Sequence, residues 1–98
     1  MNIVLIALSL NLLNADFSIC NVNNNQQWPS AIYQNNQYYV FWEDERAITR
    51  YSLYGARVSA SGTVIDVNGK MFYQDSVYLR PAIAYDGTNF LVAFRNHC

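Results

Sequence analysis

Charge is scarce in this 98-residue chain. Asp, Glu, Lys and Arg make up 13% of it against 52% apolar residues, and the formal net charge is −1. The six basic residues form no run. Phosphate recognition in nucleic acids needs clustered Lys and Arg, so no nucleic-acid partner is expected. Histidine occurs once, as His97 beside Cys98 at the end of the chain. Adjacency in sequence does not place a base on a nucleophile, and no Ser-His-Asp or Cys-His arrangement is built around it. The two cysteines, Cys20 and Cys98, make neither a C-x-x-C pair nor a metal-ligand spacing. No catalytic group, cofactor or metal site is expected, and the chain reads as a non-enzyme. Asn-x-Ser/Thr acceptors are absent, so N-glycosylation is not expected either. A membrane helix needs roughly twenty apolar residues, and no run reaches that length, so no stable membrane span is expected.

The first fifteen residues stand apart. Ile3 to Leu13 is apolar except for Ser9 and Asn11, and Leu13-Asn14-Ala15 puts a small residue before Asp16. The pattern predicts a cleaved secretory signal over 1–15, lacking the usual basic residue near the start. An uncleaved anchor or a first buried strand is the alternative. Secretion would make the protein extracellular and place it in an oxidising compartment. There Cys20 and Cys98 could pair and close most of the mature chain into one loop. Two free, buried thiols is an equal reading.

Residues 16–98 form one domain at most. They show no helical periodicity; short apolar runs bounded by Asn, Gly and Ser dominate, which predicts strands. Pro29 opens a short strand through Tyr33, and Gln34-Asn35-Asn36-Gln37 is a turn, because Asn accepts left-handed backbone angles cheaply. Tyr38 to Trp42 is aromatic or β-branched throughout and reads as a strand buried on both faces. Glu43 to Arg50 is a charged loop, Tyr51 to Ser59 a third strand, Thr63 to Val67 a fourth, and Asn68-Gly69 a turn. Lys70 to Tyr73 is extended and leads toward Pro81.

A pattern then restarts. Trp28-Pro29-Ser30-Ala31-Ile32-Tyr33, a turn, and Tyr38 to Trp42 are matched by Arg80-Pro81-Ala82-Ile83-Ala84-Tyr85, a turn, and Phe90 to Phe94, fifty-two residues on. A period near fifty points to repeated four-stranded units that need neighbours to bury their faces. The motif Pro29, Ile32, Tyr33, Tyr38, Val40, Trp42, Asp44, Arg46, followed by Leu53-Tyr54-Gly55-Ala56-Arg57-Val58-Ser59, Gly62, Val64 and Asp66, resembles the repeat of secreted β-propeller proteins. The second copy opens well but carries Asn96 and Cys98 where the first has Asp44 and Arg46. The resemblance implies an all-β fold: one antiparallel, four-stranded, propeller-blade-like sheet (about 29–67) and half a second blade (about 70–98), after a signal-peptide-like segment. Propellers close with about four or more blades, so the chain is expected to be a fragment or to need further copies of itself.

The charged cluster Glu43-Asp44-Glu45-Arg46 invites a cation or sugar site, but alternate side chains on an extended strand point opposite ways and cannot converge on one ion. Same-facing Asp44 and Arg46 are expected to brace the loop, by pairing with each other or with Arg57. Asp66 and Asp86 are a weak candidate for the carboxyl pair of glycoside hydrolysis, since both sit beside turns. The candidate ligand or interface residues are Trp28, Tyr39, Asp44 and Arg46. Aromatic faces stack on sugars and anchor protein contacts. The expected function is an extracellular β-propeller-like repeat segment, acting as a scaffold or as a module that binds a carbohydrate or protein. A truncated glycosidase-type hydrolase propeller is the alternative.

Overall fold

The structure, a computed structural model, describes residues 3–5, 17–47, 50–75 and 80–95. Among them there is no helix; eight strands build three small sheets. β1 (Ile3–Leu5) pairs antiparallel with β2 (Phe17–Cys20). β3 (Gln26–Gln34), β4 (Gln37–Asp44), β5 (Tyr51–Ser59) and β6 (Lys70–Asp75) form a four-stranded antiparallel meander in chain order. β7 (Ala82–Tyr85) and β8 (Phe90–Ala93) form a second hairpin. The expectation of an all-β chain, with one complete four-stranded antiparallel sheet and part of another, holds. Ile3–Leu5, inside the stretch expected as a leader, is a strand here; the rest of that leader lies outside the described residues.

Side-chain alternation explains the layering. On one face of the large sheet, Val40, Trp42, Ala56 and Val58 are buried against Ile19 and Cys20 of β2, with Tyr38 and Tyr54 at the margin. On the opposite face Tyr39 packs on Phe90 at 4.1 Å between ring centroids, and Tyr73 on Phe94 at 4.9 Å. The four-stranded sheet therefore sits between the β1–β2 and β7–β8 hairpins. β4 supplies aromatic or β-branched side chains to both layers, as its composition predicts.

The two hairpins that restart the pattern are superimposable in register. Ala31 pairs with Val40, Ile32 with Tyr39 and Tyr33 with Tyr38. Fifty-two residues on, Ile83 pairs with Val92, Ala84 with Leu91 and Tyr85 with Phe90. The cross-strand ring pair recurs too: Tyr33–Tyr38 at 4.8 Å and Tyr85–Phe90 at 4.6 Å. Even the backbone before each proline repeats, with φ of 57° at Trp28 and 46° at Arg80.

The fourth strand is where the sequence reading and the structure part. It is Lys70–Asp75, not Thr63–Val67. In the latter stretch a single bridge joins Val58 to Val64. Beyond it the Asp66 carboxylate, instead of a backbone carbonyl, accepts the Arg57 amide at 2.9 Å, which ends the ladder. The first sheet consequently extends past the boundary expected near residue 67.

Candidate functional site: a locked ion pair and an apolar groove

Two arrangements concentrate the chemistry of this chain, one on each face of the four-stranded sheet. The first forms where β4 ends. Asp44 is fully buried, two residues after Trp42 and on the same face of β4, and the indole Nε1 of Trp42 donates to its Oδ2 at 2.8 Å. The chain then turns, and the Arg46 amide and Nε donate to Asp44 Oδ1 at 2.8 and 2.9 Å while Nη2 donates to Oδ2 at 2.8 Å. This bidentate fork is the strong form of an ion pair. Nη2 also donates to the Asn68 carbonyl at 2.7 Å and lies 3.4 Å from Cys20 Sγ. The guanidinium rests over the Tyr54 ring at 3.7 Å. Burial opposes the charge on Arg46, but the bonds and charge of Asp44 outweigh it and raise its pKa. The Cys20 thiol is pushed up, mainly by burial. Thus Asp44 and Arg46 pair with each other, one of the two options the sequence offered. Their groups are consumed in tying β2, β4 and the 68–69 turn together. Cys98, the other half of the suggested disulfide, lies outside the described residues.

The Asn68-Gly69 turn is part of the same construction. Gly69 has φ of 79°, and a Cβ there would lie 2.6 Å from the Trp42 ring. Glycine is required both for the backbone angle and for the close approach of the indole.

Glu43 points the other way, as alternation demands. It is fully buried: Gln27 Nε2 donates to Oε1 at 2.7 Å and the Arg80 amide to Oε2 at 3.3 Å. One carboxylate therefore fastens β3 and the entry to β7 onto β4. Above it, a bulge between Gln27 and Ser30 turns Trp28 outward, where the Arg80 guanidinium stacks on its ring at 4.2 Å. Trp28 and Arg80, matched across the fifty-two-residue offset, meet in space at the mouth of the two hairpins. Among the described residues, no three His, Cys, Asp or Glu side chains gather as metal ligands would.

The second arrangement is a groove of about 490 Å³ on the opposite face, beside β8. Its floor is Phe41, Leu53, Gly55 and Phe72, its β8 wall Phe90 and Val92, and its rim Arg57, Asp66 and Lys70. The floor depends on Gly55. Any Cβ there would lie 2.6 Å from the Phe41 ring, so glycine lets that ring lie flat across β5 and meet Phe72 at 5.3 Å. At the rim, Arg57 Nε and Nη2 donate to Asp66 at 2.9 and 3.1 Å, and Lys70 Nζ lies 3.4 Å away. The Arg57 hydrogen bond is the main reason the Asp66 carboxyl is held far below the usual range. Asp86 is also lowered, by the Asn89 and Thr88 amides that it caps within its turn.

Of the four candidate residues, Asp44 and Arg46 fall together, Tyr39 lines the groove, and Trp28 stands at the hairpin mouth. The structure does not gather them into one site. Sequence reasoning missed the Glu43 clamp and the Arg57–Asp66 fork. The fork had a local signal, an Arg and an Asp flanking the Gly62 turn; the clamp had none, because its partner Arg80 is remote in sequence. Comparison with known protein families, curated proteins and solved structures returned no match.

Proposed function

We propose that this chain is a β-propeller-like repeat segment that works by association, as a scaffold or binding module. The observation that carries the reading is the equal register of β3–β4 and β7–β8 at an offset of fifty-two residues, with the ring pair and the turned backbone before proline repeated in both. Repeats of this sort cannot bury their own faces and are completed by neighbours. The Trp28–Arg80 stack at the hairpin mouth is the exposed aromatic feature best suited to a carbohydrate or protein ligand. No observation among the described residues favours the hydrolase reading: Glu43, Asp44 and Asp66 are each engaged in bracing contacts. Extracellular placement is a companion proposal, supported by the apolar stretch 3–13. Its Ile3–Leu5 also serves as a strand, so removal of the stretch and use of that strand exclude each other.

The repeat reading is tested by insertion. A chain with residues 28–79 duplicated in tandem gains one whole unit. It is expected to fold cooperatively, with β-sheet circular dichroism rising in proportion to length. Failure of the lengthened chain to fold, beside a native chain that does, would count against repetition.

A further inference from the structure

The β7–β8 hairpin is covered on one face only. Phe90, Val92 and Phe94 turn toward the four-stranded sheet. The other face presents Ala82, Ala84, Leu91 and Ala93, all exposed, with Leu91 67% accessible. Among the described residues β8 pairs with β7 alone and no strand lies on its outer edge, and the groove runs beside that edge. An open edge and an apolar face on one hairpin are a template for a further strand.

The far side of the same chain carries the matching part. Fifty-two residues on from Ile3–Leu5 lies Gly55–Arg57 in β5, and fifty-two on from Phe17–Cys20 lies Gly69–Phe72 at the start of β6. The β1–β2 pair thus falls, by position in the chain, where a unit has its two outer strands, although the register differs by two residues: Ile3 pairs with Cys20, but Gly55 pairs with Lys70. β7–β8 holds the places of the two inner ones, because β7 runs against β3. The two half-sheets add up to one four-stranded sheet. The molecule also displays the contact such a junction would use. Tyr39, which matches Leu91, is met by Phe90 of the Tyr85–Phe90 pair. The corresponding pair on the first hairpin is Tyr33–Tyr38, and Tyr33 is 46% exposed.

We propose that a second copy of this chain docks head to tail: its β1 pairs with the open edge of β8, its β1–β2 hairpin fills the groove, and its Tyr33–Tyr38 face receives Leu91. The inference rests on the repeat reading. A net charge of −1 per copy opposes the contact little. The interface joins two different surfaces, so it closes into a ring if the rotation permits. The described residues of each copy bring eight strands, the equivalent of two four-stranded units, so two to four copies match the roughly four to eight units of closed radial assemblies.

Light scattering on the full chain is expected to give a mass of at least twice 11.3 kDa, and Leu91→Asp to give a folded monomer by the same measurement and far-ultraviolet circular dichroism. Cross-linking keeps the test open should that variant unfold. In a Cys98→Ser background, Leu91→Cys and Tyr33→Cys chains, mixed and oxidised, are expected to form a disulfide dimer that neither forms alone. A wild-type monomer at 100 µM, or Leu91→Cys chains that link to each other as fast as to Tyr33→Cys, would overturn the proposal. An oligomer whose chains begin at Asp16 would overturn it as well, since β1 would be missing. A native monomer beside a folded unit-insertion chain would sink this inference and leave the repeat reading standing.

Discussion

Asp44 gathers four hydrogen bonds at the end of β4. It holds the Trp42 indole and three donors of Arg46 while fully buried. Asp44→Asn keeps the shape but leaves the guanidinium without its counter-charge. Breaking such a pair costs several kcal/mol when both partners are buried; with Arg46 a quarter exposed, the expected loss is about 2–4 kcal/mol, read from urea unfolding. Arg46→Lys is expected to destabilise too, because an ammonium cannot reproduce the fork or the stack on Tyr54. A different mechanism operates at Gly55. Gly55→Ala pushes a methyl into the Phe41 ring, and crowding of this kind costs about 1–3 kcal/mol. The same measurement checks it, with loss of the Phe41–Phe72 contact visible as altered aromatic chemical shifts.

At the scale of elements, the 59–70 connection is held by one short bridge to β5 and, beyond it, by charge. Asp66 accepts from the Arg57 amide and guanidinium, and its pKa lies below that of an unfolded aspartate. Its contribution is present above about pH 4, the unfolded value, and is lost as pH falls toward the folded value. Acid unfolding of the wild type is therefore expected to steepen below about pH 4. Asp66→Asn should flatten that slope while lowering stability by about 1 kcal/mol at neutral pH, the worth of a lost hydrogen bond. A slope unchanged by the substitution would show that the fork does not govern acid stability. This connection also marks the limit of what the residues disclosed. Tyr38 to Trp42, the Asn35-Asn36 turn and the restart at Pro81 were legible, since β-branched and aromatic runs, turn residues and an internal period act locally. Val64-Ile65-Asp66-Val67 looked equally like a strand. Its failure to become one depends on a side-chain carboxylate displacing a carbonyl, which alternation of apolar residues does not encode. The Trp28 bulge and the Glu43 clamp were hidden for a related reason: each involves Arg80, which lies just before β7 and far along the chain. The Asp44–Arg46 pair was foreseeable from its i, i+2 spacing, although it forms through a turn after β4 and not along an extended strand. Its additional ties to Cys20 and Asn68 required knowing which layer covers that face.

The molecule as a whole is a stack of three thin layers, and its two outer surfaces are unlike. One presents the Tyr33–Tyr38 ring pair beside β1–β2; the other presents Leu91 among alanines. Such a stack has a direction. If copies dock head to tail as proposed, a chain altered at Leu91 alone keeps a sound receiving side and a dead donating side, and so acts as a terminator. It joins an assembly once and lets nothing follow. Small fractions of Leu91→Asp chain mixed into wild type are therefore expected to lower the mean mass by more than simple dilution would, a poisoning effect that subunits meeting through identical surfaces would show in a different stoichiometry.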